Sequence, residues 1–185
     1  MPLLPDTELG PVLLTRAREA IAQRLLDGVP LPGDPRLNGP GATFVTLTLT
    51  RDGALRGCVG SVRAQRPLGE DVATNAIAAA TLDTRFAPLT RAELNDIRVE
   101  VSLLSEPQFL EFATEDELLS LIRPDIDGLM LFAGCRGAVF LPQVWSQVGE
   151  PALFLAALKE KAGLSAGRRA DNLMAASFTV RKWKE

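Results

Sequence analysis

Residues 44–62, FVTLTLTRDGALRGCVGSV, decide the fold of this chain because they predict a β-hairpin. Apolar residues alternate with threonine in residues 44–50, so that Val45, Leu47 and Leu49 share one face of a predicted strand. The Asp-Gly dipeptide at 52–53 is the strongest short signal for a tight turn between two strands. Residues 55–62 are therefore predicted to return as the second strand.

The returning strand contains the segment LRGCVGS at 55–61, in which two glycines flank a cysteine. Glycine inside a strand weakens it and often marks a bulge or a close approach by another backbone or by a ligand. Gly57 and Gly60 would leave the Cys58 thiol sterically open, and the charge of Arg56 would favour its thiolate form. The alternative is a buried structural cysteine, which composition alone favours because free cysteine is among the most buried residue types.

Helical and strand patterns alternate along the rest of the chain. Apolar residues at helical spacing predict helices at 7–27, 68–82, 114–121 and 151–162. Alternating patterns predict further strands at 98–104, 128–132, 137–141 and 177–183. We predict a single α+β domain, 1–185, with a mainly antiparallel sheet and flanking helices. Its halves, roughly 1–110 and 111–185, repeat a hairpin, a helix and a strand, either through internal duplication or by chance.

The segment that follows the second predicted helix, DTRFAPL at 83–89, is predicted to form a turn. Asp83 and Arg85 would fix this turn locally, and its apolar residues would enter the core. Residues 90–94 predict a short capped turn, because an N-cap threonine is followed three residues later by Glu93.

Composition excludes several classes of protein. The net charge of −3 supplies no general attraction for nucleic acid or for an anionic membrane. Two cysteines are too few for a disulfide framework, and no stretch has the roughly 18 apolar residues of a membrane span, so we expect a cytoplasmic protein. The absence of histidine removes the Ser-His-Asp triad, the Cys-His pair and histidine-based metal sites. With no phosphate loop and no CxxC pair, the sequence predicts no cofactor and no metal.

Three further side chains are candidates for a functional site. Glu100 lies on the polar face of the strand predicted at 98–104, where it would pair with Arg56 or Arg136 or, as the pattern favours, point to solvent. Arg136 lies in the turn region of the second hairpin. Gln143, shortly before Trp145, could present its amide to a ligand, although packing is the default role of this region.

These segments together resemble the AMMECR-type domain family. The resemblance begins at LRGCVGS and continues in order through PLGEDVATNAIAAA at 67–80, DTRFAPL at 83–89, VEVSLLS at 99–105, RPDIDG at 123–128, GAVFLPQVW at 137–145 and LKEKAGL at 158–164. The combination is specific, although no single segment would be. It implies an α+β fold with an antiparallel sheet and an internal duplication.

The resemblance also implies a function. Prokaryotic members of the family are similar to protein A of the AmmeMemoRadiSam system and are associated with a Memo-like protein and a radical-SAM protein. We therefore predict a catalytic or modified Cys58, with Arg56 stabilising the thiolate and Glu100 orienting a ligand. The residues expected to contact that ligand are Gly57, Gly60, Ser61, Arg136 and Gln143. The alternative is a non-catalytic binding or scaffold module for a protein or small-molecule partner, and the sequence leaves the oligomeric state open.

Overall fold

The structure is a computed structural model that describes residues 5–29, 32–165 and 172–185. The chain divides into two compact units, one formed by Met1–Leu104 with Arg181–Glu185 and the other by Ser105–Val180. Each unit has one four-stranded antiparallel sheet with helices packed against it. The α+β prediction is therefore confirmed. No helix in the described ranges combines the length and the apolar character needed to cross a membrane.

Regular structure covers most of the described chain. The helices are α1 (Asp6–Leu25), α2 (Leu68–Thr81), α3 (Glu115–Leu121), α4 (Trp145–Val148) and α5 (Pro151–Lys161). Short 3-10 helices occupy Pro35–Leu37, Arg91–Asn95 and Pro142–Val144. The strands are β1 (Pro40–Gly41), β2 (Thr43–Leu49), β3 (Leu55–Gly60), β4 (Arg66–Pro67), β5 (Ile97–Leu104), β6 (Gln108–Leu110), β7 (Gly128–Ala133), β8 (Arg136–Phe140), β9 (Met174–Phe178) and β10 (Val180–Lys184). The predicted helices and hairpin strands are present within two residues of their predicted bounds.

The sheet of the first unit has the strand order β10-β5-β2-β3, and β1 and β4 form a separate two-stranded ladder. Helices α1 and α2 pack on one face of the sheet, over the buried side chains of Val45 and Leu47 from β2. This is the apolar face that the alternation in residues 44–50 predicts. The other face of β2 carries threonines, so the sheet has one apolar face and one more polar face.

The sheet of the second unit has the order β6-β9-β7-β8. Its core is built around Trp145, whose ring stacks on that of Phe154 with centroids 3.8 Å apart. Phe140 meets the Phe154 ring edge-on, with centroids 5.3 Å apart. The indole Nε1–H of Trp145 donates to the carbonyl of Asp127 at 2.7 Å, so this large buried ring leaves no donor unsatisfied. The predicted packing roles of Trp145 and Phe140 are confirmed.

The two sheets share one pattern of strand order. In each, the strand that follows a helix pairs with the first strand of a preceding hairpin, giving β5-β2-β3 and β9-β7-β8. In each, a fourth strand, β10 or β6, lies outside the strand that follows the helix. This shared order is what an internal duplication of a hairpin-helix-strand element predicts.

The single strand predicted at 177–183 is wrong, because the chain changes sheets at Thr179. The backbone N–H of Thr179 donates to Ser105 Oγ at 3.0 Å, and its carbonyl accepts from the Ser105 N–H at 2.9 Å. The chain therefore leaves β9 in one sheet and enters β10 in the other. Residues 29–41, between the first predicted helix and the first predicted strand, contain the 3-10 helix Pro35–Leu37 and β1 in their described part, while residues 30–31 lie outside the described ranges.

Gly57 lets the backbone of α2 lie directly on β3. A Cβ atom added at Gly57 would collide with the backbone carbonyl oxygen of Ala79 in α2. Of the two explanations for glycine in this strand, a close approach by another backbone is therefore confirmed here. Because the neighbour is helix backbone, local side-chain rotation cannot make room for a larger residue.

We predict that Gly57→Ala lowers the free energy of unfolding by about 1–3 kcal/mol through overpacking. The matched control is Gly39→Ala, because a Cβ atom at Gly39 meets nothing within 4 Å. Urea denaturation of both variants measures the difference. Equal midpoints for the two variants would contradict the packing argument.

Candidate functional site around Cys58

Cys58 lies on the outer strand β3, just after a β-bulge. Leu47 pairs with Gly57 and Thr48 pairs with Leu55, so Arg56 is the extra residue of the bulged strand. The bulge predicted from the glycine content is therefore present. Since Gly57 faces α2 and side chains alternate along a strand, the Cys58 side chain lies on the face opposite to the helices. The thiol is free and partly buried.

A row of polar side chains crosses the sheet from Cys58. Thr46 pairs with Cys58 on one side and with Glu100 on the other, and its hydroxyl donates to Cys58 Sγ at 3.4 Å. Glu100 forms an ion pair with Lys182 of β10 at 3.2 Å. Glu100 therefore pairs with neither of the two candidate partners, Arg56 and Arg136, and it does not simply point to solvent, because β10 joins the sheet next to β5 and brings a lysine to this position.

The Arg56 side chain holds the loop that follows α2 against β3. Its Nε and Nη2 donate to the two carboxylate oxygens of Glu93 at 2.9 and 3.2 Å, and its Nη1 donates to the carbonyl of Ala87 at 2.9 Å. The side chain is only 13% exposed. The pKa of Glu93 is lowered to about 2, mainly by the hydrogen bonds from Arg56 and to a smaller extent by those from the N–H and hydroxyl of Thr90. These Thr90 contacts form the predicted capping box, which is confirmed. The charge of Arg56 is thus matched by Glu93.

Asp83 and Arg85 close the outer edge of β3 at Cys58. The Cys58 N–H donates to Asp83 Oδ2 at 2.8 Å, and Arg85 Nη2 donates to the Cys58 carbonyl at 3.3 Å. The two side chains also form a bidentate ion pair, at 2.9 and 2.6 Å. The Arg85 guanidinium is the main reason that the pKa of Asp83 lies well below its ordinary range. Asp83 in turn raises the pKa of Arg85. A negative charge on Cys58 would raise the pKa of Arg85 by a smaller amount.

The sequence pattern predicts that Asp83 and Arg85 fix a local turn. They do make local bonds, since the Arg85 N–H also donates to Asp83 Oδ1 at 3.2 Å. Their additional contact with Cys58 spans 25 residues of chain, which no local pattern reveals. The structure thus adds two charged residues to the surroundings of the thiol.

A buried carboxylate, that of Asp71, holds the C-terminal end of the LRGCVGS segment at residues 55–61. Asp71 of α2 is fully buried and accepts hydrogen bonds from the N–H and hydroxyl of Thr43, from Ser61 Oγ, from Arg66 Nε and from Asn75 Nδ2, at 2.7–3.2 Å. The negative charge of Asp71 would be costly to bury without partners, and these hydrogen bonds offset that cost. Ser61 is therefore part of a structural network. The sequence contains a signal for it, since Asp71 and Asn75 fall on the otherwise apolar stripe of α2.

The remaining predicted site residues lie in different surroundings. Gly60 packs against Phe44, because an added Cβ atom would collide with the Phe44 ring. Arg136 and Gln143 belong to the other unit, and both are exposed. Arg136 Nη1 donates to the carbonyl of Gly163 at 2.6 Å. The structure thus gathers Cys58, Arg56, Glu100, Gly57, Gly60 and Ser61 in the first unit, and Arg136 and Gln143 in the second.

Two cavities of the described chain lie away from Cys58 and the other predicted site residues. They have volumes of about 470 and 270 Å³ and lie along α1, and none of the predicted site residues lines either of them. Among the residues that the structure describes, no group of three cysteine, aspartate or glutamate side chains is arranged to hold a metal ion.

This chain is similar to known proteins over most of its length. A family model described as AMMECR1 matches residues 14–183. A protein from Sulfolobus acidocaldarius is 39% identical over 166 residues, which are 86% of this chain and 73% of that protein. One from Methanothermobacter thermautotrophicus is 43% identical over 121 residues, 65% of this chain and 63% of its own length. A crystal structure of the uncharacterized protein PH0010 from Pyrococcus horikoshii matches with a TM-score of 0.84 and 32% identity, covering 95% of this chain and 91% of that one.

We predict that Glu93→Gln lowers the free energy of unfolding by about 1–2 kcal/mol at neutral pH, because it removes a partly buried ion pair with Arg56. The pKa of Glu93 is depressed from 4.5 to about 2, so its stabilising effect is complete above about pH 5 and is lost as the pH falls toward 2. The difference between wild type and variant should therefore shrink over that interval.

Urea denaturation at a series of pH values measures this difference. The control is Glu19→Gln, since Glu19 is exposed and makes no hydrogen bond or ion pair with the described residues. A Glu93→Gln difference that stays constant between pH 7 and pH 2 would show that the ion pair does not stabilise the fold.

Proposed function

The chain belongs to the AMMECR1 family, and we propose that it acts through the thiol of Cys58 as a component of the AmmeMemoRadiSam system. In this proposal it works with a Memo-like protein and a radical-SAM protein in the cytoplasm. The two partner proteins are proposed because LRGCVGS and the other segments described above resemble those of the AMMECR-type family. The role of the thiol is supported by one observation, the hydrogen bond from the Thr46 hydroxyl to Cys58 Sγ on the sheet face opposite to the helices.

The Thr46 hydroxyl is positioned to donate a hydrogen bond to the reactive form of the thiol. A hydroxyl that donates to sulfur stabilises the negatively charged thiolate more than the neutral thiol, because hydrogen bonds to charged groups are the stronger ones. The thiolate is the nucleophilic form of cysteine. The chain has no histidine, and the group that contacts the sulfur is the Thr46 hydroxyl.

The other predicted residues take specific roles in this proposal. Arg56 acts indirectly, since its bonds to Ala87 and Glu93 hold the loop beside β3. Glu100 lies in the same row as the thiol and orients a ligand there, with its charge balanced by Lys182. Gly57 allows strand β3 to pack directly against the backbone of α2.

We predict that iodoacetamide alkylates Cys58 in the native protein, at a rate that rises with pH as the thiolate forms. Thr46→Val should slow this alkylation about threefold to tenfold near neutral pH by removing the hydrogen bond to sulfur. Thr46→Ser keeps the hydroxyl and should retain most of the wild-type rate. Mass spectrometry of the adducts gives the rate at each cysteine separately.

The exposed Cys135 is an internal reference for this experiment, because it reports reagent quality and general access in the same sample. The proposal is contradicted if Cys58 stays unmodified in alkaline buffer while Cys135 is fully alkylated. Equal rates for Thr46→Val and Thr46→Ser would remove the role of the hydroxyl.

A second candidate function is a non-catalytic binding or scaffold module, and an apolar surface on the second unit favours it. Phe109 of β6 is 69% exposed and Met174 of β9 is 53% exposed. Phe132 of β7 pairs with Met174 in the sheet and lies next to Phe109, with ring centroids 6.3 Å apart. Exposed apolar side chains that adjoin one another are typical of protein-binding surfaces. The Arg56 side chain is too buried to contribute to a binding surface for a partner protein.

We predict that Phe109→Ser weakens binding to the purified Memo-like or radical-SAM protein at least fivefold if this apolar surface is the binding site. Leu153→Ser is the matched control, because Leu153 is a 55% exposed apolar residue of the same unit. Calorimetry or cross-linking measures the binding. Cys58→Ser separates the two functions, since a binding module keeps its affinity after this change, whereas thiol chemistry is abolished.

A further inference from the structure

The Arg85 guanidinium lies beside Cys58, and one edge of it has donors that make no hydrogen bond to the described residues. Its Nε and Nη2 are held by Asp83, and Nη2 also contacts the Cys58 carbonyl. Its Nη1 makes no hydrogen bond to any residue that the structure describes. Arg56, by comparison, uses Nε, Nη1 and Nη2 in bonds to Glu93 and Ala87.

The Asp83–Arg85 ion pair is oriented with its positive end toward solvent. The Arg85 side chain is 55% exposed, whereas that of Asp83 is 7% exposed. The carboxylate therefore fixes the guanidinium in one position while screening little of its outer edge. A guanidinium held in this way binds a carboxylate or a phosphate oxygen well, since its planar donors are already oriented.

We propose that Arg85 binds the anionic group, a carboxylate or a phosphate, of the compound that reacts with the Cys58 thiol. The inference rests on the proposed reactivity of Cys58 and adds the chemical class of its substrate. Arg85 contacts the backbone of the reacting residue itself, so an anion held at its outer edge lies beside the thiol. The carboxylate of Glu100, in the same row, is paired with Lys182 and so repels such an anion only weakly.

A pair of small electrophiles tests this inference. Iodoacetate and iodoacetamide react with a thiolate in the same way: the sulfur attacks the methylene carbon, the carbon–sulfur bond forms, and iodide leaves with the electron pair of the broken bond. The thiol proton goes to the buffer. The two reagents have nearly the same size, but only iodoacetate carries a carboxylate, so the ratio of their rates at Cys58 measures the preference for an anion.

We predict that Arg85→Gln lowers this rate ratio at Cys58 about threefold or more and leaves the ratio at Cys135 unchanged. Arg85→Lys keeps the charge and should retain part of the preference. The matched control is Arg51→Gln, an exposed arginine of the β2–β3 turn that pairs with Asp52. In the unmodified protein, added salt should slow iodoacetate more than iodoacetamide at Cys58, because it screens the attraction.

The outcomes separate the inference from the proposed function. If Cys58 reacts with both reagents but its rate ratio is the same in wild type, Arg85→Gln and high salt, Arg85 is only a structural residue and the inference is overturned. If Cys58 reacts with neither reagent while Cys135 reacts with both, the proposed function itself fails. The salt measurement needs no variant, so a poorly folded Arg85→Gln protein does not prevent the test.

Discussion

The contact between the backbone of α2 and the edge strand β3, at Ala79 and Gly57, is the constraint on which the rest of the first unit depends. Only a residue without a side chain permits a helix backbone to lie this close to a strand. Since side chains alternate along a strand, glycine on the helix side places the next residue, Cys58, on the opposite face. One packing requirement therefore sets both the position of the helix and the direction of the thiol. The bulge at Arg56 adds to this, because its extra residue re-aims a long side chain toward the loop after α2.

The outer position of β3 creates a second requirement, because an edge strand has unpaired backbone groups that other chains can pair with. At Cys58 both of these groups are satisfied by side chains, the N–H by Asp83 and the carbonyl by Arg85. Arg56 holds the loop after α2 against β3 at a further point, the carbonyl of Ala87. These bonds protect the edge and also immobilise the backbone that carries the thiol. The protein thus uses the same ion pair for edge protection and for positioning, and the buried Asp71 holds the other end of the segment in a similar way.

Sequence patterns predicted the parts of this structure that depend on neighbours along the chain. The alternation in residues 44–50, the Asp-Gly turn and the helical spacing in residues 68–82 all gave the correct elements, because burial on one face imposes a period on the sequence. The partners of the charged residues could not be predicted in this way. Arg56 and Glu93 are 37 residues apart, and only the path of the loop after α2 brings them together. The change of sheets at Thr179 was missed for a related reason, since the strand period continues on both sides of it. The pairing of Glu100 with Lys182 depends on that same change of sheets.

The pairing of charges around Cys58 limits the chemistry that this thiol can carry out. Arg56 is matched by Glu93, Arg85 by Asp83, and Glu100 by Lys182. A carboxylate held in an ion pair is a weak base, because removing a proton from a substrate would break the pair. These side chains therefore suit the binding and positioning of a substrate better than repeated proton transfer. The chain also has no histidine to carry out that proton transfer. A reaction that needs only a thiolate, and in which the other reactant already carries a good leaving group or an activated carbon, fits this arrangement better than hydrolysis, which requires a general base for water. For the reaction that we propose at Cys58, these contacts support transfer of a group from an activated compound to the thiol rather than hydrolysis.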